Sequence, residues 1–486
     1  FFAKTAFYSL KDYIIHTSGV EDIVVADAII YPDSGIVTVA KKANIETLHQ
    51  ANILANDLTE YHTFSNATVD IKSAYDYIAS ADYTYKDALD NEHQIFFKEI
   101  KVDEDTITIA SGNITTDKIF QINSNFDFKG SVDLIADQKD LIFDGYFMIN
   151  HDCDLLDKEW IKFRSKVDPK NVKFMLDENI YNEQGDLLSI GLVLGSSTDF
   201  YSTFLTKKKN NKTDISVFSS SYALQYNDKN STYVIAGPDS LSNQYVLYDK
   251  MCKNSGEGII DLDLNLGQVK VQAFGNVMHD INAKKTEVEG FIMLDFFFSE
   301  DAMMFMAEDL SYYRDEKEFA YDDNFSKNLG RVLGYEKAKS LLEDLEYLDD
   351  YSKFPKEMEQ SIVLAKTKLQ WDVENKAYVF KGPIAVHSIM DQHLNSTHQG
   401  YLIIEKGSNL DVLIFYLDTE LYDYYFKYEN GVMQAWSDNL DFEIAINEIK
   451  EKKRKAKRSK GARSYRYMFI PEDVAMKSLK KIKQKY

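Results

Sequence analysis

Apolar and polar residues alternate along most of this chain, and a period of two marks a strand with one buried face. Between Ile259 and Ala273, Leu262, Leu264 and Leu266 alternate with Asp261, Asp263 and Asn265. Val269, Val271 and Ala273 follow Gly267, so the pattern predicts two strands joined at that glycine. Phe126–Ala136 reads as a strand and Leu141–Ile149 as its return, with Asp137–Asp140 supplying turn chemistry. Further strands are expected over 23–30, 35–40, 68–72, 83–85, 107–110, 188–194 and 245–248.

One stretch recurs. Leu224–Pro238 aligns without gaps on Leu369–Pro383, with seven of fifteen positions identical and Tyr226 matched to Trp371. Each copy reads as strand, polar turn, strand, then a Gly-Pro stop, because proline has no N–H to give a ladder.

Helical spacing replaces alternation in one region. Ala302–Tyr313, Phe325–Val332 and Glu336–Leu348 carry it, and in the last of these Ala338, Leu341, Leu342, Leu345 and Leu348 share a face. Two more helices are expected, Asp441–Lys457 and Glu472–Gln484. The chain then divides into an N-terminal β region over 1–300, a helical insert over 301–360, a C-terminal β region over 361–448 and a basic tail over 449–486. A split near 155–185 would make the first region two β domains. The expected fold class is mainly β: repeated antiparallel hairpins in jellyroll- or sandwich-like or solenoid-like layers, with the helical insert and a short helical end.

Composition adds limits. Hydrophobic residues make up 44% of the 486 residues, enough for a real core and against disorder of the bulk. No apolar run approaches ~18 residues, the length that a membrane-spanning helix needs. The sequence opens Phe1-Phe2 rather than with Met, which suggests a processed product or a C-terminal piece. Cys153 and Cys252 either form one long-range bridge in an oxidising compartment or are two buried thiols. Of the 56 basic residues only seven are Arg, a bias that fits an AT-rich bacterial genome.

Charge is unevenly spread. Residues 449–486 hold fifteen Lys and Arg against Glu451, Glu472 and Asp473, a net +12 that leaves −34 of the total −22 on the rest. So acidic a body disfavours nucleic acid as a partner. The basic run contains Lys450, Lys452, Lys453, Arg454, Lys455, Lys457, Arg458, Lys460, Arg463 and Arg466. It could contact an anionic membrane surface, lipopolysaccharide phosphates or an acidic protein; the plain alternative is a solvated helix end balancing acidic neighbours.

Other candidates meet a bland explanation. His387, His393 and His398 with Asp391 could ligate a metal, but their spacing fits no tight motif. His151–Asp154 puts three ligand types in one place, yet neighbours on a strand point to opposite faces. Asp261, Asp263 and Asn265 resemble a calcium loop, but Leu266 and Gln272 stand where that loop needs Gly and Glu. Gly256–Gly258 and Gly191–Gly195 lack the rest of a nucleotide fingerprint. No catalytic residue, cofactor or metal is therefore assigned.

The strand–turn–strand units ending in glycine, Leu224–Gly237, Leu369–Gly382 and Phe126–Gly145, resemble the repeated β units of large Gram-negative envelope proteins, of the lipopolysaccharide-transport β-jellyroll and AsmA-like types. The likeness covers about a quarter of the chain and carries over no site residue. It implies a non-enzymatic structural or interaction protein of a bacterial envelope, a scaffold or an assembly or transport accessory at the outer membrane. Other envelope proteins would be its partners. Two alternatives remain open: a glycan-binding or glycan-degrading β protein, and a lipid or lipopolysaccharide conduit.

Overall fold

The computed structural model describes residues 1–115, 120–196, 199–207, 211, 213–313, 322–457 and 463–486. Strands take 51% of the chain and helices 16%, so it is mainly β, as its alternation implied.

Two long meanders dominate. The first runs from Ile23–Val25 to Ile161–Val167, and its members include Thr63–Ser73, Asp76–Lys86, Phe126–Ile135 and Leu141–Ile149. The second runs from Lys173–Met175 to Arg466–Phe469 and has 14 strands. Neighbours in both are mostly consecutive in sequence, so the layers are up-and-down rather than Greek-key in order. Pairing is antiparallel until the last strand, Arg466–Phe469, which lies parallel to Val432–Ser437. A four-stranded sheet of Thr5–Ser9, Ile14–Ser18, Val37–Ala40 and Asn44–Ile45 is interleaved in sequence with the first strands of the first meander, and a three-stranded one, Leu188–Leu194 with Phe200–Lys207 and Ile215–Ser219, packs against the second. Phe200 touches Trp371 and Tyr378, and Phe204 stacks on Tyr245.

The two meanders share one core. Phe174 stacks on Phe147 with ring centroids 4.0 Å apart, and Phe126 meets Phe174 and Tyr233 edge-on. Tyr233 Oη donates to the Asn125 carbonyl. Cys153 and Cys252, 99 residues apart, are joined by a disulfide beside this seam. Of the two cysteine arrangements left open by the sequence, the bridge is the one formed.

The helices do not sit together. Strand Lys285–Asp295 pairs directly with Gln360–Asp372, so the helical segment leaves and re-enters one sheet. Helix α1 (Glu300–Ser311) buries Met303, Met306 and Leu310 in the main core, which also holds Phe442 of α4 (Leu440–Asn447) and one face of the sheet. Helices α2 (Asp323–Leu333) and α3 (Tyr335–Leu348) cover the opposite face with Phe325, Leu329, Ala338, Leu341 and Leu345. Helix α5 (Glu472–Lys485) covers that outer face further on with Ala475, Leu479 and Ile482. Ser299, Asp322 and Asn439 start α1, α2 and α4 by accepting backbone N–H groups.

Glycine pairs allow the sheets to bend. Gly130 faces Gly145, and Gly258, Gly275 and Gly290 stand in one cross-strand row. A Cβ on Gly275 would lie 2.4 Å from the Glu289 carbonyl oxygen, and Gly130 and Gly275 have φ of 140° and 143°. No L side chain fits that approach.

Several sequence expectations change. Residues 23–30 form two strands, Ile23–Val25 and Ala28–Tyr31, turned at Ala26 with φ 53°. Asp261–Leu266 is not a strand. It buries Leu262 and Leu266 but has Asp263 at φ 52°, and its polar groups reach a distant loop. Asn265 N donates to Asp411 Oδ2, Asp411 N donates to the Asn265 carbonyl, and Lys406 Nζ reaches both Asp263 and Asp411. Alternation there reflects a segment held between a core and a polar clasp. Pro238 follows the end of its strand, but Pro383 lies inside Ala377–Met390. It is tolerated because the ladder to Gln360–Asp372 is broken between Lys366 and Gln370, where no N–H is asked of it.

The repeated hairpins share their register. Tyr226 faces Tyr233, and Trp371 faces Tyr378 at the equivalent positions. The ring centroids are 4.7 Å and 4.8 Å apart, both pairs at 65°, and Ser231 and Lys376 both have φ 52°.

Candidate functional site

Over its described residues, 450–457 and 463–466, the basic run is a strap rather than a helix. Helix α4 stops at Asn447, ten residues short of the expected Lys457, and a single 3-10 turn follows at Glu451–Lys453. Successive like charges repel along a helix face, and Arg454 folds back on the helix end instead. Its Nε donates to the Ile449 carbonyl and its Nη2 to that of Asn447. The chain then returns beside itself, with Ala456 N donating to the Tyr465 carbonyl and Tyr467 N to that of Arg454. Tyr465 anchors the return: it is buried, stacks on Tyr428, and donates to the Phe297 carbonyl.

The ten basic candidates divide by what they touch. Arg454 ties the strap to α4, and Arg463 Nη2 donates to Asn409 Oδ1. Arg466 takes its place in the last strand. Lys450, Lys452, Lys453, Lys455 and Lys457 are all exposed, and among the described residues none forms an ion pair. Arg458 and Lys460 lie outside the described residues. Asp441 and Glu443 of α4 and Glu448 just past its end precede the strap, yet among the described residues none of them pairs with these lysines.

The histidines do not converge as a set. A tight turn with Met390 at φ 53° brings His387 and His393 to 4.9 Å between ring centroids. His387 is wholly buried, with Nδ1 bonded to Asn395 Oδ1 and Nε2 to the Tyr351 hydroxyl. Burial, reinforced by His393 and opposed by Asn395, holds it neutral well below the usual imidazole range. His398 lies apart against Tyr313, and burial lowers it to about 4 against the pull of Asp418. Asp391 is exposed in the turn. Among the described residues no group of three or more His, Cys, Asp or Glu is placed to hold a metal ion. In the His151–Asp154 segment, Cys153 is bridged and Asp152 N donates to Asp249 Oδ1, so this segment fastens the two meanders.

A second site was hidden from sequence reading. A cavity of about 500 Å³ opens between α2 and the outer face of the second meander. Asn276 and Glu289 face each other across neighbouring strands at its wall, with Lys366, Thr397, Asn324 and Phe325 around them. Register shifts fall beside it, one starting at Gly290 and another at Lys366, both of which line the space. Helix α2 is pinned beside it. Arg331 Nη2 and Lys327 Nζ both reach Glu257 Oε1, at 3.0 and 2.9 Å. Against the cost of burial, these two cations keep the Glu257 carboxyl below its usual range. No protein family, curated protein sequence or solved structure matches the chain. The two sites therefore stand on their own chemistry. For the cavity the one sequence signal was glycine inside strands, at Gly275 and Gly290, beside the two wall residues.

Proposed function

We propose that this chain is a structural and interaction protein of a bacterial envelope, a scaffold or an assembly or transport accessory at the outer membrane. It works beside other envelope proteins and rests on an anionic surface, lipopolysaccharide phosphates included, through its basic strap. The observation that carries the reading is the strap's lack of neutralisation. Among the described residues five exposed lysines go unpaired, although acids precede them on α4 and the chain holds 78 acids in all. A strap folded only to balance local charge would pair with them. The Cys153–Cys252 disulfide supports an oxidising, extracytoplasmic compartment.

Co-sedimentation with phosphatidylglycerol and with phosphatidylcholine vesicles tests it. Binding to the anionic vesicles alone is expected, weakening as salt rises. Each lysine near such a surface contributes about 1 kcal/mol. A variant with Lys450→Gln, Lys452→Gln, Lys453→Gln, Lys455→Gln and Lys457→Gln should therefore stay in the supernatant. Equal binding of parent and variant would overturn the anchoring role.

A further inference from the structure

We infer that the cavity beneath α2 is a binding site for a neutral sugar. The inference goes beyond the envelope reading and uses none of the strap residues. Its starting point is a set of unmet hydrogen-bonding groups. Among the described residues Asn276, Glu289, Asn324, Lys366 and Thr397 make no side-chain hydrogen bond or ion pair, although all five line one space. Asn276, Glu289 and Thr397 are half-buried, so open water does not fully serve them, while Asn324 and Lys366 are exposed.

The mixture of groups selects the ligand class. Each amide offers a donor and an acceptor side by side, the carboxylate only accepts, the ammonium only donates, and the hydroxyl does both. An anion would meet Glu289 and Asp322, and a cation would meet Lys366. An apolar molecule would leave every polar group unsatisfied. A polyhydroxylated ring satisfies all of them, because each of its hydroxyls gives one hydrogen bond and accepts others. Phe325, held against Phe291 and His387 at 5.9 and 5.3 Å, adds apolar lining to the same space. The volume of about 500 Å³ lies inside the range of small-molecule sites. Both register shifts and Pro383 beside the space belong to the backbone.

The test is saturation-transfer NMR and calorimetry on the full chain with free glucose, galactose, mannose, N-acetylglucosamine and cellobiose. At least one should bind. Glu289→Gln should weaken that binding about tenfold or more, ~1.4 kcal/mol, with an unchanged melting temperature. Asn276→Ala should act alike, and the five-lysine strap variant should bind as the parent does. If no sugar binds, or if binding survives both cavity substitutions at full strength, the inference is overturned. Because the strap variant is measured beside them, failure of the sugar site leaves the vesicle result standing, and the reverse.

Discussion

Strands Phe126–Ile135 and Val412–Asp418 belong to the two meanders and are buried in different ways. In the first, Phe126, Phe128, Val132 and Leu134 are buried while Asp127, Lys129 and Asp133 between them stay partly exposed. In the second, Leu413 to Leu417 are buried without a break. The cause is what lies on the second face. Leu413, Phe415 and Leu417 join the main core, while Ile414 and Tyr416 meet α5. A sheet covered once needs alternation; a sheet covered twice needs continuous apolar runs. The two meanders are thus separate designs joined at one seam, and cutting that seam is the most direct way to break the comparison.

The disulfide should carry the largest single share of the joint. It closes a loop of 99 residues, for which the chain-entropy account gives about 4–5 kcal/mol. The double variant Cys153→Ser, Cys252→Ser should lose roughly that much in urea unfolding. It should also unfold in two steps, the first meander apart from the second. One unshifted transition would mean that the aromatic seam of Phe126, Phe147, Phe174 and Tyr233 suffices by itself.

Acid should separate the two designs next. His279, His387 and His398 are buried on three strands of the second meander. Burial is the first cause in each case, and it lowers His279 and His398 to about 4. Each is neutral when folded and takes a proton readily when unfolded, below the ordinary value of 6.5. Their stability contribution is therefore complete above pH ~6.5 and falls away as pH drops toward 4, by on the order of 2–3 kcal/mol each for His279 and His398, with His387 acting in the same direction. Hydrogen exchange at pH 7 and pH 5, corrected for intrinsic rate, should show residues 270–280 and 377–405 opening before 126–149. His62 and His151, also lowered by burial, lie outside the second meander and add to its partner's acid sensitivity. Opening of 126–149 first would reverse the assignment.

What the sequence revealed follows the same division. Where one face meets water, as at Phe126–Ile149, alternation and turn residues gave strands and register together. Asp261–Leu266 shows the opposite case: its alternation is real, but Asp411 and Lys406, over 140 residues away, take its polar groups. The basic run looked helical by continuity with α4, yet Arg454 closes the helix by a bond that spacing does not reveal. The cavity was hidden for a related reason. Its side chains come from strands spread over Asn276 to Thr397 and from α2, and only the strand glycines hinted at it.

The finest test uses the repeated hairpin, which occurs twice within the second meander under different cover. The pairs Tyr226/Tyr233 and Trp371/Tyr378 have equal separation and angle. Their surroundings differ: Trp371 is 9% exposed and meets Phe200, while Tyr226 is only partly buried. An aromatic pair contributes ~0.5–1.5 kcal/mol beyond its area. Double-mutant cycles that replace each partner with Leu should therefore give coupling of about 1 kcal/mol in both hairpins. The single change Trp371→Leu should cost more than Tyr226→Leu, because it also loses Phe200 and a larger buried area. Equal coupling with unequal single costs would show that the repeat preserves the pair itself and that cover sets the rest. Coupling in one hairpin alone would mean that the shared register has no shared energetic cause.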